Sequence, residues 1–141
     1  IEAGASLFEV SEAVFNHRTL PAMRLWGAVL AGAQLEDGLL WAELPLTLAR
    51  AYGGDPLASK GLINLLSECA EARVTVFFRE MEDGAGVDVG FRSKPGYDVS
   101  TVALALGGGG HPQAAGCQVA GALDQVRGQV LGALRTLLAR A

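Results

Sequence analysis

The sequence is short of the residues that build most catalytic and metal sites. It holds two cysteines, Cys69 and Cys117, far apart and in no Cys-x-x-Cys pair, which excludes a disulfide framework and a cysteine zinc site. That usage suits a reducing cytosol, so a cytoplasmic location is expected. Its two histidines, His17 and His111, stand outside any carboxylate cluster. Positive charge is scarce as well: 11 Lys and Arg against 15 Asp and Glu leave a net charge of −4. A general nucleic-acid binder shows a broad basic face, so any polyanion site here must be local. Residues 99–123 carry no charged side chain, but Gly107 to Gly110, His111 and Pro112 interrupt them. A membrane span needs about 20 continuous apolar residues, and none is expected. No signal-peptide pattern opens the chain, and it begins on Ile1 instead of Met, as a fragment would.

What is present describes a folded domain. Half of the 141 residues are hydrophobic and 18% are charged, enough for one domain with its own core. Leu7, Val10, Val14 and Phe15 recur at helical spacing, and Leu25, Val29 and Leu30 mark a second helix after Pro21. Glu36-Asp37-Gly38 reads as a turn, and Leu39 to Leu44 as a strand closed by Pro45. A helix is expected over Thr47 to Tyr52, ended by Gly53-Gly54, with a turn beginning at Asp55-Pro56. Alternation over Arg73 to Met81 and over Gly86 to Arg92 predicts two strands of a hairpin turning at Asp83-Gly84. In the second strand Val87, Val89 and Phe91 share a face, which puts Arg92 on the other. Asp98 is placed to cap a helix carrying Val99, Val102, Ala103 and Leu106, stopped by Gly107. A strand over Ala115 to Val119 and a final helix with Leu123, Val126, Val130, Leu134, Leu137 and Leu138 on one stripe complete the chain. The expected class is α/β: a mixed β-sheet flanked by helices, with a helical N-terminal lead-in. The expected division is a lead-in over residues 1–35 and a domain over residues 36–141.

Nineteen glycines are nearly double the usual share of about 7%, and four of them run together before His111-Pro112. Glycines let a ligand approach the backbone without meeting a Cβ atom, and turned N–H groups form an anion nest. Gly108, Gly109, Gly110 and His111 are therefore candidate phosphate contacts, with the imidazole as an added donor. A flexible linker is the alternative, although the His-Pro directly after the glycines argues against mere flexibility. The second candidate is Phe91-Arg92-Ser93-Lys94: a guanidinium for bidentate phosphate binding, a hydroxyl and a mobile charge. Its alternative is an ordinary solvated strand end. Cys117 reads as a small buried residue, His17 as a capping or packing residue, and Trp26 and Trp41 as packing groups.

The segment from Gly90 to Gly116, with Arg92-Ser93-Lys94, Asp98-Val99-Ser100 and Gly107 to Gly116, resembles the signature of the DHH-associated C-terminal domain. Asn64, Phe78-Arg79-Glu80 and Asn16-His17-Arg18-Thr19 make the oligoribonuclease/pAp-phosphatase (nanoRNase) type the best fit. The resemblance implies that Arg92, Ser93, Lys94 and the Gly108 to His111 segment hold substrate phosphate or a terminal nucleotide. It also implies a separate N-terminal DHH catalytic domain with two metal ions, usually manganese. This chain has no Asp-His-His run to bind them, and no cofactor and no catalytic residue are expected within it. The expected ligands are a short RNA, a single-stranded DNA oligonucleotide or a nucleotide phosphate, with a homodimer as a further possibility. RecJ-like exonucleases, cyclic-dinucleotide phosphodiesterases and the accessory C-terminal domain of alanyl-tRNA synthetase carry related domains and stay open as alternatives.

Overall fold

A computed structural model describes residues 18–140; the expected helix over Leu7 to Phe15, and His17, lie outside the described residues. Helix α1, Leu20–Ala31, begins where Thr19 Oγ1 accepts from the Ala22 N–H and Pro21 occupies the first turn. A hairpin follows, β1 (Gln34–Glu36) and β2 (Leu39–Leu44). Asp37 and Gly38 both take positive φ there, the primed turn that Asp-Gly favours. Helices α2 (Leu46–Ala51) and α3 (Leu62–Leu66) lead to β3 (Val74–Glu80), which pairs with β4 (Val87–Ser93). Helix α4 (Ser100–Ala105), strands β5 (Gly109–His111) and β6 (Ala114–Val119), and helix α5 (Leu123–Arg140) follow.

The six strands form one mixed sheet in the order β1-β2-β3-β4-β6-β5, with β2 and β3 parallel and every other pair antiparallel. Period-2 alternation gives the sheet two apolar faces. One carries Val74, Val76, Phe78, Val87, Val89, Phe91, Ala115 and Cys117, under Val102 and Ala103 of α4 and Val126, Val130, Leu131 and Leu134 of α5. The other carries Leu40, Ala42, Leu44 and Phe77, under α1 and α3. Helix α1 is thus packed into the same core as the sheet. Phe78 and Phe91 are fully buried, and truncating either to Ala would cost about 3–5 kcal/mol. Trp26 packs at the rim of the second core, donates Nε1–H to the Ala58 carbonyl, and lies under the Arg18 guanidinium. Trp41 packs against the first core.

The helices that cover the second face lie over its β2–β3 end and, through α3, over part of β4, while Gly116, Gly109 and His111 at the β6–β5 end stay partly or fully exposed. Helix α3 reaches over β4, close enough that a Cβ on Gly90 would meet Ile63 Cδ1 at 2.9 Å. Helix α2 has no side-chain cap of its own; the Glu80 carboxylate, at the end of β3, accepts from the Leu46 N–H at 2.8 Å. A carboxylate there also meets the favourable end of the helix dipole. Glu80→Ala should lower stability by about 1 kcal/mol in urea denaturation, and Glu80→Gln, which keeps an acceptor, by less.

Candidate phosphate site on the open sheet face

Strand register decides which candidate residues meet. Thr75 pairs with Arg92, Arg92 with Ala114, and Ala114 with His111. Directly opposed residues share a face, so Arg92 and His111 stand in one row on the open side, separated by the small Ala114. Phe77, Gly90, Gly116 and Gly109 form the next row by the same pairing. Arg92 is half-buried: Nε donates to Asn64 Oδ1 at 3.2 Å and Nη1 to the Phe91 carbonyl at 2.9 Å. These bonds fix the guanidinium and leave Nη2 without a hydrogen bond among the described residues. His111 is exposed on the edge strand.

Ser93 lies at the same end of the sheet, but with its hydroxyl already engaged. It follows Val87, Val89 and Phe91 in parity, and its hydroxyl donates to the Tyr97 carbonyl at 2.5 Å and the Pro112 carbonyl at 3.2 Å. It ties the start of the loop before α4 to the β5–β6 turn. Lys94 returns to the open side but is not a mobile charge, because Nζ donates to the carbonyls of Cys69 at 2.9 Å and Ala70 at 3.0 Å.

The glycine run is not the concave loop that its composition predicts. The Gly107 and Gly108 N–H groups donate to the carbonyls of Leu104 and Ala103, and Gly107 has φ +92°; together they close α4 in a Schellman cap. The Gly108 N–H is therefore already used and cannot serve an anion nest. Gly109 to His111 then run as the edge strand β5. A Cβ on Gly108 would lie 2.1 Å from the Gly116 carbonyl oxygen, and one on Gly110 2.6 Å from both the Ala114 oxygen and Ala115 Cα. Gly109 differs: a Cβ there meets nothing within 4 Å, and its φ lies outside the left-handed range. Three glycines of the run are needed by the fold, and the fourth is bare backbone facing outward. Asp98, expected as an N-cap, sits one position earlier, and its carboxylate accepts from the Ser100 N–H and hydroxyl.

A cavity of about 270 Å³ opens at this end of the sheet, lined by Ser67, Arg73, Thr75, Arg92, Ser93, Lys94, Gln113 and Ala114. It holds three cations and no carboxylate. Arg73 binds the Asp37 carbonyl and the Tyr97 hydroxyl, the latter at 3.4 Å. All three cations therefore hydrogen-bond neutral oxygens, which orient them without cancelling their charge. Elsewhere Arg79 pairs with Asp88, Arg127 with Glu43 and Asp124, and Arg135 with Glu36. Arg73 was not marked by sequence reasoning, since it reads as the first residue of a strand. Asn64 carried only the likeness to relatives, because the five-residue α3 lacks a cap signal and was not foreseen. Cys117 is buried, and that burial, with Asp88 nearby, pushes its thiol pKa up, away from nucleophilic use. Among the described residues no group of three or more His, Cys, Asp and Glu could hold a metal ion, and no helix is long and apolar enough to cross a membrane.

Residues 39–139 match the DHHA1 domain. The chain belongs to that family. The bifunctional oligoribonuclease and PAP phosphatase NrnA of Thermus thermophilus is 36% identical over 141 residues, a match covering 98% of this chain and 41% of that protein. This DHHA1 chain thus spans less than half the length of the curated relative it matches. The structure of an exopolyphosphatase-related protein from Bacteroides fragilis superposes with a TM-score of 0.80 at 21% identity, covering 93% of this chain and 40% of that one. The pGpG-specific phosphodiesterase PggH from Vibrio has the same fold at a TM-score of 0.56 and 10% identity, with 86% and 40% covered.

The glycine geometry of this DHHA1 domain separates fold from ligand. Gly108→Ala and Gly110→Ala should each destabilise by about 1–3 kcal/mol, the usual cost of overpacking. Gly109→Ala should stay within about 0.5 kcal/mol of the wild type. Thermal melts of the three variants side by side test the ranking.

Proposed function

We propose that this domain holds the phosphate end of very short RNA, or of 3′-phosphoadenosine 5′-phosphate, for a phosphoesterase whose catalytic domain lies elsewhere in the full-length protein. One observation carries the reading: in a chain of net charge −4, Arg73, Arg92 and Lys94 converge on a cavity with no carboxylate in its lining. Half-buried, unneutralised cations with spare donors suit a phosphate, and a guanidinium suits it best. The relation to the Thermus enzyme supports the choice of ligand class.

In this reading Arg92, held by Asn64 and the Phe91 carbonyl, offers Nη2–H to a phosphate oxygen. His111 reaches the same ligand from the same cross-strand row, and the bare backbone at Gly109 lets the ligand lie against the sheet. Arg73 and Lys94 supply field and favour the doubly charged end of a chain over its middle. Two manganese ions would belong to the N-terminal catalytic domain, because the residues described in this chain do not fit them. When bound there, they would supply the electrophilic activation that phosphodiester hydrolysis needs. The part left to this chain is grip and orientation, worth several orders of magnitude in rate when reactants are held in line. A cytoplasmic setting, where the two free cysteines stay reduced, belongs to the same proposal.

Arg92→Ala should weaken binding of 3′-phosphoadenosine 5′-phosphate or a short RNA by about ten- to a hundredfold. That range follows from about 1.5–3 kcal/mol for a charge-assisted bond, each 1.4 kcal/mol being tenfold. His111→Ala should cost a similar factor or less, and neither change should move the thermal midpoint much. Affinity should fall with added salt and vary little with base composition. Titration and melting of both variants decide it: wild-type affinity rejects the site, and early melting assigns these residues to the fold.

The chain alone should hydrolyse nothing. Incubated with manganese and a short RNA, it should release no product above a heat-killed control. Turnover that follows the protein through purification would reject the division of labour.

A further inference from the structure

Helix α1 shows solvent an apolar face on the side away from the sheet. Leu20, Met23, Gly27 and Leu30 follow one another at steps of three and four residues, and all four are exposed, Met23 to 58%. Ala22, Leu25 and Val29, on the other side of the helix, pack into the second core. Alternating steps of three and four mark the seam of a helix pair. A Cβ on Gly27 would meet nothing within 4 Å, so the middle of this seam is open. At its end Leu30 lines an apolar cavity of about 430 Å³ together with Ala33, Leu40, Leu65 and Cys69.

The complement of this seam stands in the same chain. Residues 1–17, outside the described residues, include Ser6-Leu7-Phe8-Glu9, the pattern of a capping box. Leu7, Val10 and Val14 repeat the steps of three and four, and Asn16 is placed to end a helix. Thr19 is extended, at φ −68° and ψ 157°, so the chain before it leaves the axis of α1. Asn16 to Thr19 supply a connection within the usual range of about two to five residues for an antiparallel helix pair. A helix over residues 7–15 would be about 13.5 Å long, within the roughly 18 Å of the 12-residue α1. Run antiparallel, it sets Val14 against Met23, Val10 against Gly27 and Leu7 against Leu30, each step along one helix matched on the other. Charge agrees: Glu9 and Glu12 are acidic, whereas the one charge on α1 is Arg24, exposed and in no ion pair among the described residues. A second copy of the chain fits worse, because two antiparallel α1 helices would bring their Arg24 side chains together.

We propose that residues 7–15 fold back as a helix against the exposed face of α1 and cover it, with Leu7 entering the cavity beside Leu30. The chain before Ser6 then leaves the domain beside Leu65, which lines that cavity and follows the Asn64 that holds Arg92. Without this docking it would leave at the opposite end of α1, next to Thr19. The segment therefore sets the side of the domain from which anything further upstream approaches.

Disulfide trapping in the 141-residue chain tests the register, with Cys69→Ala removing the native thiol that lines the same cavity. Leu7→Cys with Leu30→Cys should oxidise within one molecule about tenfold faster than Leu7→Cys with Leu20→Cys. An undocked segment ranks the pairs the other way, because the second pair closes the shorter loop. Met23→Asp should erase the preference and Met23→Leu should keep it; Met23 is a surface side chain in α1, so neither change endangers the fold. Equal or reversed rates, including no oxidation of either pair, overturn the docking, as does a preference that survives Met23→Asp. A disulfide that joins two molecules assigns the face to a second copy and overturns it as well.

Discussion

Between Gly108 and the main chain at Gly116 and Cys117 there is no space for a side chain, and the same holds between Gly110 and Ala114–Ala115. This close approach seats β5 on β6. Strand β6 is in turn locked to β4 by apolar pairs on the buried face, Val89 with Cys117 and Phe91 with Ala115. Because side chains alternate strictly, a slip of one residue would send Arg92 into the apolar core and bring Phe91 out. The burial of Phe91 therefore aims Arg92 outward, and the glycine contacts carry His111 into line with it. The polar row on the open face is specified by apolar and glycine packing outside the row itself.

Charge placement obeys a second constraint. The chain is acidic, so a cation left near a carboxylate is largely neutralised, as happens to Arg79, Arg127 and Arg135. Arg73, Arg92 and Lys94 are held by carbonyl, amide or hydroxyl oxygens instead. Such partners restrict the side chains while preserving full charge, so a local positive field persists within a protein of opposite sign. Composition alone points away from polyanion binding, and only the partner of each cation shows where that inference stops.

Much of this was legible in the sequence, for reasons that differ between elements. The long alternations in β3 and β4 and the stripe of α5 report burial directly, and the face of Arg92 follows from parity. Strand β1 was missed because its three residues are all exposed and so carry no alternation. Helix α3 was missed because five residues make barely more than one turn, and it starts at Gly61 in a left-handed conformation with no capping side chain. The glycine run was read by composition as a loop, whereas its φ values and contacts depend on where β6 lies, which no local pattern encodes. In sequence Ser93 read as a phosphate contact beside Arg92, and Lys94 as a weaker one that could equally remain in solvent. Both line the cavity with Arg92, but two carbonyls engage the Ser93 hydroxyl and two more, in the segment after α3, hold Lys94.

The six-stranded sheet begins on Gln34–Glu36 and ends on Gly109–His111, each only three residues long. An unpaired sheet margin is a template on which a foreign strand can grow, and brevity is one of the devices that blunt it. Here the margin beside the candidate site is also mostly glycine, which costs an incoming strand both side-chain contact and order. The same residues that leave main chain bare for a small ligand thus make a poor seed for polymerisation. A surface can be open to a nucleotide and still closed to another polypeptide.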